Sequence, residues 1–166
     1  RHAGVQPQMA IEALCEFRGV KRRMEVIYEA DNLVVYDDFA HPPTAIRTTL
    51  QGLRAQFSQD EIIAIIEPRT HTMSLGALRN ELIHCCAAAD RVIWFRGERI
   101  KWDLHEIAEA CVVPATIFDD VNNLIKQLVS AKPQPNARRQ HWVIMSNGDF
   151  GGIYQQLTAA LADDAN

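Results

Sequence analysis

The chain has 166 residues, of which 48% are hydrophobic and 23% charged, and its formal net charge is −4 at pH 7. This length and composition are typical of one globular domain rather than of a disordered or fibrous protein. The acidic balance makes nucleic acid an unexpected partner, and no apolar run is long enough to predict a membrane span.

Short apolar runs alternate with helix-like stretches along the chain. Apolar residues at steps of three and four indicate helices, and short runs of Val, Ile and aromatic residues indicate strands. The predicted elements, in chain order, are a helix over 6–17 ended by Gly19, strands over 23–29 and 32–37, a helix over 43–57, a strand over 61–67, a helix over 74–89, a strand over 91–95, a short helix over 104–111, a strand over 114–118, a helix capped by Asp119 or Asp120, a strand over 141–145 and a helix over 151–162.

This alternation predicts an α/β fold: a Rossmann-like layered domain with a mostly parallel sheet of about six strands, flanked by helices. The turn-like Ala30-Asp31-Asn32 between the first two strands predicts an N-terminal hairpin. The run EIIAIIE at 61–67 is apolar throughout, which is typical of a parallel strand buried on both faces. Since ligands of such sheets bind beyond the carboxyl ends of the strands, the residues after each strand are candidate site residues.

Polar and charged residues follow three of the predicted strands. They are Asp37, Asp38 and His41 after the second strand, Glu67, Arg69, Thr70 and His71 after the third, and Ser146, Asn147, Gly148 and Asp149 after the last. We expect these groups to lie at one edge of the sheet. The other strand ends, at Phe95 and Phe118, are less informative.

Each of these segments has a functional and a structural interpretation. Carboxylates and a histidine can hold ribose hydroxyls or position Mg²⁺ through water, or Asp38 can simply cap the next helix. The planar fork of Arg69 can bind a phosphate or carboxylate, or pair with Glu67. The turn SNGDFGG can present backbone N–H groups to an anion, or only reverse the chain.

Several other residues have ordinary interpretations. The short basic run Lys21, Arg22 and Arg23 is expected in a solvated turn. His2, His84, His105 and His141 have no metal-ligand spacing, which indicates structural or surface roles. The four cysteines form no C-x-x-C pair, which is typical of reduced thiols in a cytosolic protein. The chain contains no P-loop motif and no nucleophile elbow, so no catalytic or metal site is predicted within it.

GVKRRMEV followed by VVYDDFAHPPTAI resembles the start of the C-terminal domain of the Mur ligases, the ATP-dependent amide-forming enzymes of bacterial cell-wall synthesis. The shared positions are Gly19, Arg23, Met24, Glu25, Asp38, Phe39, Ala40, His41 and Pro43. Within the family, EPRTHTM and MSNGDFGGIYQQL resemble the murein peptide ligases. These join UDP-N-acetylmuramate to L-Ala-γ-D-Glu-meso-diaminopimelate in peptidoglycan recycling.

The resemblance implies a division of the chain and a set of roles. Residues 1–20 would be the last helix of a preceding ATPase domain, and residues 21–166 the C-terminal domain of a cytoplasmic bacterial ligase. By motif, Arg23, Asp38 and His41 would contact ATP, and Arg69, Ser146, Asn147, Gly148 and Asp149 would contact the peptide substrate. Mg²⁺ and most of the ATP would be bound by a central domain outside this chain. The chain alone is therefore expected to be inactive.

Two positions differ from the murein peptide ligase pattern. Pro42 stands where a second histidine is usual, and Asp149 stands where a small residue is expected. We expect Asp149 to repel a bound carboxylate or to meet an amino group of diaminopimelate. The alternatives are a UDP-N-acetylmuramate–L-alanine ligase, a folylpolyglutamate-type ligase, and a stand-alone nucleotide-binding or interaction domain without chemistry.

Overall fold

The computed structural model describes residues 4–16, 20–69, 78–98, 100 and 102–164. In these residues strands and helices alternate, as the sequence patterns predicted. The helices are α1 (Pro7–Glu16), α2 (Pro43–Gln56), α3 (Arg79–Cys85), α4 (His105–Ala110), α5 (Val121–Ser130) and α6 (Ile153–Asp163), and a 3-10 turn spans Phe150–Gly152. The strands are β1 (Glu25–Ala30), β2 (Leu33–Asp38), β3 (Glu61–Ile66), β4 (Arg91–Phe95), β5 (Ala115–Phe118) and β6 (Gln140–Met145).

The strands of the described residues form one sheet in the order β1-β2-β6-β3-β4-β5. β1 and β2 are antiparallel and joined by Asp31 and Asn32, where Asp31 has a left-handed φ of 42°. All other neighbours are parallel. The predicted α/β layered fold, with its mostly parallel sheet and N-terminal hairpin, is confirmed. The central position of β6, the last strand, was not predicted.

Helices cover both faces of the sheet. On one face, α2, α3 and α4 contribute Ile46, Leu50, Leu53, Leu82, Cys85 and Ile107 to the core. On the other face, α5 and α6 contribute Leu124, Ile125, Leu128, Ile153, Leu157 and Leu161. The neighbouring strands β6 and β3 are thus followed by helices on opposite faces. In open α/β sheets, such a point is where ligands bind.

The central strands are buried on both faces, as the apolar run at 61–67 predicted. Ile62–Ile66 and Trp142–Met145 are each at most 1% exposed. Successive side chains point to opposite faces, so Val143 joins the α2 side of the core and Trp142 joins the α6 side. The rigid centre of the sheet holds the ends of β3 and β6 in place.

The structure corrects one helix prediction and decides an alternative left open in another. α3 ends at Cys85, well before the predicted end of the 74–89 helix; residues 74–77 lie outside the described part. Cys86 and Ala89 remain buried in the core after the chain turns, so the apolar spacing continues beyond the helix. Asp120, rather than Asp119, caps α5 by accepting the Asn123 N–H at 2.8 Å.

Candidate functional site

The candidate site lies where the carboxyl ends of β2, β6 and β3 meet. These strands are neighbours in the sheet, so residues 37–41, 146–149 and 67–69 converge at one edge. The predicted clustering of these segments is confirmed. Thr70 and His71, which belong to the same predicted group, lie outside the described residues.

Asp38 is 2% exposed, and its carboxylate organises the backbone around it. Oδ1 accepts the N–H of Ala40 at 2.7 Å, and Oδ2 accepts the N–H of Met24 at 2.9 Å. The alternative role of capping α2 is wrong, because that helix has Pro42 at its N-cap and no side-chain cap. Asp38 therefore fixes the corner after β2. Its contact with ATP stays a prediction.

His41 has a defined tautomer at the same corner. Its Nδ1 lies 2.8 Å from the carbonyl oxygen of Phe39, and because a carbonyl can only accept, Nδ1 carries the proton. In the neutral ring, Nε2 is then the nitrogen that can accept a hydrogen bond. The ring packs edge-on against Phe39 at 5.3 Å, which fixes its orientation. Contact with ATP stays a prediction here too.

Arg22 connects the three segments of the site, a role that the sequence analysis missed. Its Nε donates to the Asp37 carboxylate at 3.0 Å. Its Nη2 donates at 2.9 Å to each of three oxygens: the carbonyl groups of Ser146 and Gly148 and the hydroxyl of Tyr154. The expectation of a solvated turn is therefore wrong for Arg22.

The hairpin register explains why Arg22 reaches the site. Glu25 pairs with Asp37, and because β1 and β2 are antiparallel, residues before Glu25 lie beyond the carboxyl end of β2. The backbone continues this match, since the Phe39 N–H donates to the Arg22 carbonyl at 2.8 Å. A basic run before β1 and a carboxylate pair at the end of β2 were the sequence signal for this contact.

Burial and charge compete at Arg22, Asp37 and Tyr154. Burial opposes the charge of Arg22, but Tyr154 and Asp37 outweigh it and raise the pKa of the guanidinium. Burial raises the pKa of Asp37, with Arg22 opposing the rise. Burial, followed by the charge of Asp37, raises the pKa of Tyr154 far above its usual range. Tyr154 thus stays a neutral phenol that can accept from Arg22.

Arg23 has a more open position than its neighbour. Its side chain is exposed, and the guanidinium carbon lies 5.5 Å from the centroid of the Phe39 ring. Arg22 packs over Phe39 as well, at 5.4 Å. Of the two arginines, Arg22 has structural partners within the site, and Arg23 is the one whose charge faces solvent. Its contact with ATP stays a prediction.

Ser146 fixes the turn after β6. Its hydroxyl donates to Glu67 Oε2 at 2.6 Å, and its Oγ accepts the Gly148 N–H at 3.0 Å. Its own N–H donates to the carbonyl of Asp38 at 3.2 Å. Ser146 is fully buried. It therefore holds the turn in place from the buried side. Direct contact of Ser146 with substrate stays a prediction.

Asn147 presents an unsatisfied acceptor in this turn. Its Oδ1 is buried and has no hydrogen-bond partner within the described part of the chain. Buried polar atoms in proteins are paired with few exceptions, and each exception calls for an explanation. A donor from a bound molecule would satisfy this atom, which agrees with the predicted role of Asn147 in substrate binding.

Arg69 lies over the turn and pairs with Asp149. Its Nη1 is 2.9 Å from Asp149 Oδ1 and 4.0 Å from Glu67 Oε2, so Asp149 is the direct partner rather than Glu67. This hydrogen bond raises the pKa of Arg69 and lowers that of Asp149. A Cβ on Gly148 would lie 1.8 Å from the same Nη1. Only glycine therefore lets Arg69 approach.

A cleft of about 940 Å³ extends from Arg69 across the ends of β3, β4 and β5. Its charged lining residues among those described are Glu67, Arg69, Arg96, Glu98, Asp103, Asp119 and Asp120, together with His105. Glu67 joins the cleft to the turn after β6, because its Oε2 accepts from the Ser146 hydroxyl at 2.6 Å while its Oε1 lies against Gly97 after β4. The strand ends at Phe95 and Phe118, which the sequence analysis considered less informative, lead into this cleft.

Comparison with known proteins gives the family. Residues 22–148 match the family described as Mur ligase, glutamate ligase domain. The chain belongs to this Mur ligase family. The match begins at Arg22 and ends at Gly148, the two residues joined by the Arg22 Nη2–Gly148 carbonyl hydrogen bond. The resemblance predicted from the sequence motifs is confirmed.

Similarity to individual relatives extends over nearly the whole chain. The Escherichia coli UDP-N-acetylmuramate–L-alanyl-γ-D-glutamyl-meso-2,6-diaminoheptanedioate ligase is 43% identical over 99% of this chain and 35% of that protein. The crystal structure of a murein peptide ligase from Psychrobacter arcticus superposes with a TM-score of 0.76 at 36% identity, covering 96% of this chain and 34% of that chain. The chain thus spans about a third of the length of these relatives.

Sequence similarity to the L-alanine ligases of the family covers less of the chain. A UDP-N-acetylmuramate–L-alanine ligase from Caldicellulosiruptor bescii is 40% identical over 90 residues, which are 54% of this chain and 19% of that protein. The sequence match therefore covers 99% of the chain with the E. coli tripeptide ligase and 54% with the C. bescii alanine ligase.

Proposed function

We propose that the chain is the C-terminal domain of an ATP-dependent amide ligase that joins UDP-N-acetylmuramate to L-alanyl-γ-D-glutamyl-meso-diaminopimelate. The observation that carries this proposal is the 43% identity over 99% of the chain to an E. coli ligase named for these substrates. The proposal includes the division into residues 1–20, from a preceding ATPase domain, and residues 21–166. It also includes the role in peptidoglycan recycling.

The reaction has two chemical steps. The muramate carboxylate attacks the γ-phosphate of ATP, which gives an acyl phosphate and ADP. The α-amine of the peptide then attacks the acyl carbon, the amide forms, and phosphate leaves. Both steps need fixed cations and donors around the phosphoryl group. A C-terminal domain that closes over the site would also keep water from the acyl phosphate.

On the nucleotide side, this chain offers Arg23, Asp38 and His41. Arg23 brings an exposed guanidinium that fits a phosphate or the face of a base. His41 brings Nε2 as an acceptor for a ribose hydroxyl, and Asp38 holds the backbone corner that carries it. No group of three or more potential metal ligands occurs among the described residues. The proposal leaves Mg²⁺ to the central domain, as the family resemblance implies.

On the peptide side, the chain offers Arg69, Asn147 and Gly148, positioned by Ser146. Arg69 can bind a carboxylate with two parallel N–H groups. The unpaired Oδ1 of Asn147 suits an amine or amide N–H of the substrate. Gly148 leaves room for the Arg69 guanidinium above the turn.

Asp149 is proposed to bind an amino group of the peptide. Its carboxylate is 80% exposed, and its pairing with Arg69 lowers its pKa, so it is ionised at neutral pH. We expect Asp149→Ala to raise the KM for the tripeptide several-fold in the protein encoded by the complete reading frame, with kcat little changed. An unchanged tripeptide affinity would contradict this role.

Two other functions are separated from this one by substrate choice. An alanine-adding ligase would use free L-alanine in place of the tripeptide, and a folylpolyglutamate-type ligase would use neither. A stand-alone binding domain would show no turnover. The sequence similarity to the tripeptide ligase of E. coli covers 99% of the chain, against 54% for an alanine ligase, and this difference favours the tripeptide.

The decisive experiment uses the protein encoded by the complete reading frame. We expect ADP and the UDP-muramoyl-tripeptide to form when ATP, Mg²⁺, UDP-N-acetylmuramate and tripeptide are all present, and not when L-alanine replaces the tripeptide. The 166-residue chain alone contains no P-loop motif and is expected to form no ADP. Turnover by this chain alone, or ligation of alanine by the complete protein, would contradict the proposal.

The proposal places the protein in the bacterial cytoplasm, where ATP and the nucleotide sugar are available. No helix in the described ranges is long and apolar enough to cross a membrane.

A further inference from the structure

The turn after β6 contains an asparagine followed directly by a glycine, Asn147–Gly148. In flexible chains this pair is chemically labile. The backbone nitrogen of the glycine attacks the side-chain amide carbon of the asparagine, the C–N bond of that amide breaks, ammonia leaves, and a cyclic imide forms. Water then opens the imide to aspartate or isoaspartate. Glycine favours the attack because it has no Cβ to hinder the approach of its nitrogen.

The site needs both residues of this labile pair. A Cβ on Gly148 would lie 1.8 Å from Arg69 Nη1, so another residue at this position would displace the guanidinium. Asn147 has a buried Oδ1 without a hydrogen-bond partner among the described residues, which suits a ligand. The chemical stability of the pair therefore has to come from the structure around it.

The hydrogen bond from Gly148 to Ser146 opposes the reaction directly. The Gly148 N–H donates to Ser146 Oγ at 3.0 Å, and the Ser146 hydroxyl donates its own proton to Glu67 Oε2 at 2.6 Å. The attacking nitrogen must give up its proton to a base, and the nitrogen of the imide carries none. The bond to Ser146 is therefore absent from the reactive anion and from the imide, and it stabilises the intact turn relative to both.

Arg22 holds the turn on both sides of the labile pair. Its Nη2 donates to the carbonyl oxygens of Ser146 and Gly148, each at 2.9 Å, and its Nε donates to the Asp37 carboxylate at 3.0 Å. Ring closure requires rotation about the bonds of Asn147, which moves these two carbonyl groups relative to each other. Because one anchored guanidinium binds both, the turn is held away from the geometry of attack.

The surroundings of Asn147 Oδ1 also disfavour the attack. When the nitrogen adds to the amide carbon, negative charge develops on Oδ1. Enzymes stabilise such an oxyanion with fixed hydrogen-bond donors. Oδ1 is buried, and no donor reaches it from the described part of the chain. A buried charge without donors is costly, so the barrier to imide formation is raised.

We propose that Asn147 is a deamidation site that the folded turn protects, with Ser146 and Arg22 as the residues that keep it intact. The product, aspartate or isoaspartate, replaces the amide by a carboxylate, and isoaspartate also lengthens the backbone of the turn by one methylene. Local opening of the turn is the step that exposes Asn147 to this loss. The inference does not depend on which substrate the site binds.

The test follows deamidation of Asn147 by mass spectrometry of peptides, using the protein encoded by the complete reading frame at mildly alkaline pH. We expect the rate to be about a hundredfold lower in the folded protein than in guanidinium chloride, because three hydrogen bonds of the folded turn contribute about fivefold each. Asn136, which is exposed and followed by alanine, is a reference within each folded sample. Its rate should be the same in all folded variants.

Ser146→Ala removes the acceptor for the Gly148 N–H, and we expect Asn147 to deamidate about fivefold faster in this folded variant. Circular dichroism verifies the fold. Ser146→Cys takes its place where the alanine variant does not fold, since sulfur is a weak acceptor on a side chain of similar shape. Ser130→Ala is the matched control. It removes a serine hydroxyl that donates to the Gln127 carbonyl at 2.9 Å at the end of α5, and the Asn147 rate should not change.

Two results would overturn the inference. One is a rate at Asn147 that is as high in the folded unaltered protein as in guanidinium chloride. The other is a rate in the folded Ser146 variants no higher than in Ser130→Ala. Neither measurement requires ligation, so the inference and the proposed function are decided separately.

Discussion

Arg22 has one guanidinium that reaches three separate parts of the chain. It pairs with Asp37 at the end of β2, with two carbonyls of the turn after β6, and with Tyr154 on α6. Without it, Asp37 would keep a buried carboxylate with no cation beside it, and the two carbonyls would lose their donor. Removing one partner of a largely buried pair destabilises a protein more than the pair itself stabilises it.

We expect Arg22→Ala to lower the free energy of unfolding of this chain by about 2–3 kcal/mol, measured by urea denaturation. The control is Arg23→Ala, one residue away, because the Arg23 side chain is exposed and its guanidinium carbon lies 5.5 Å from the centroid of the Phe39 ring. It should change the free energy by about 0.5 kcal/mol or less. Equal losses in the two variants would contradict the role of Arg22.

Sequence patterns identified the residues of this site but not all their roles. Asp38 and Arg69 were found because polar residues after buried strands are rare in a simple scaffold. Arg22 was missed because its contacts depend on the hairpin register, which places it beside Asp37. The local sequence does not specify that register. A basic run in a turn therefore has the same sequence pattern whether its side chains face solvent or a binding site.

The turn between β6 and α6 depends on one glycine for the placement of Arg69. A Cβ on Gly148 would lie 1.8 Å from Arg69 Nη1 and 2.6 Å from its Cζ. Because the arginine side chain is flexible, it would swing away rather than unfold the turn. The pairing with Asp149 would then be lost.

We expect Gly148→Ala to raise the KM for the tripeptide about as much as Arg69→Ala does, and the double variant to be no worse than either single one. Steady-state kinetics on the protein encoded by the complete reading frame would measure this.

Gly52→Ala is the control, because a Cβ there meets nothing within 4 Å. It lies inside α2, where we expect a gain of about 0.5–1 kcal/mol in stability and an unchanged KM. Additive effects of Gly148→Ala and Arg69→Ala on KM would contradict the idea that Gly148→Ala acts by displacing Arg69.

At the level of elements, local patterns predicted most of the fold. The predicted bounds of the strand at 91–95 agree with the observed ones, because the short apolar run VIWF after Arg91 is enough to identify it. Neighbour relations were not predicted, because β6 pairs with strands that are distant in the sequence. Nothing in the run HWVIM distinguishes a central strand from any other buried one.

The Asp90 carboxylate contacts three separate parts of the chain: β3, α2 and the segment before β6. Its Oδ2 accepts the Ile62 N–H of β3 at 2.7 Å and also binds Arg54 of α2. Arg138, in the segment before β6, lies 3.7 Å from Oδ1. Burial alone would raise the pKa of Asp90, but these partners outweigh it and hold the pKa below its ordinary value.

A lowered native pKa means that the stabilisation from Asp90 is complete above the ordinary carboxyl pKa and is lost as pH falls through the native value. We expect Asp90→Asn to lower the free energy of unfolding by about 1–2 kcal/mol at pH 7. The change should shrink as pH falls through the lowered native pKa, since wild-type Asp90 is then protonated too. Urea denaturation across this pH range measures it.

Asp164→Asn is the control for Asp90. Asp164 is 51% exposed and pairs with Lys132 at 3.4 Å. We expect a change of about 0.5 kcal/mol or less at pH 7. A loss that is the same at pH 7 and at acid pH for Asp90→Asn would show that its charge has no part in the stabilisation.

The central place of β6 has a consequence for the chain as it leaves the ribosome. Leu33 pairs with Gln140, and Glu61 pairs with the same residue from the other side. Until β6 emerges, β2 and β3 have no strand between them, and each presents an unpaired edge of buried sequence. Such edges promote aggregation in newly made proteins, and long-range parallel pairing is slow. A nascent chain stopped before residue 140 would therefore be a substrate for chaperones and proteases rather than a smaller folded domain.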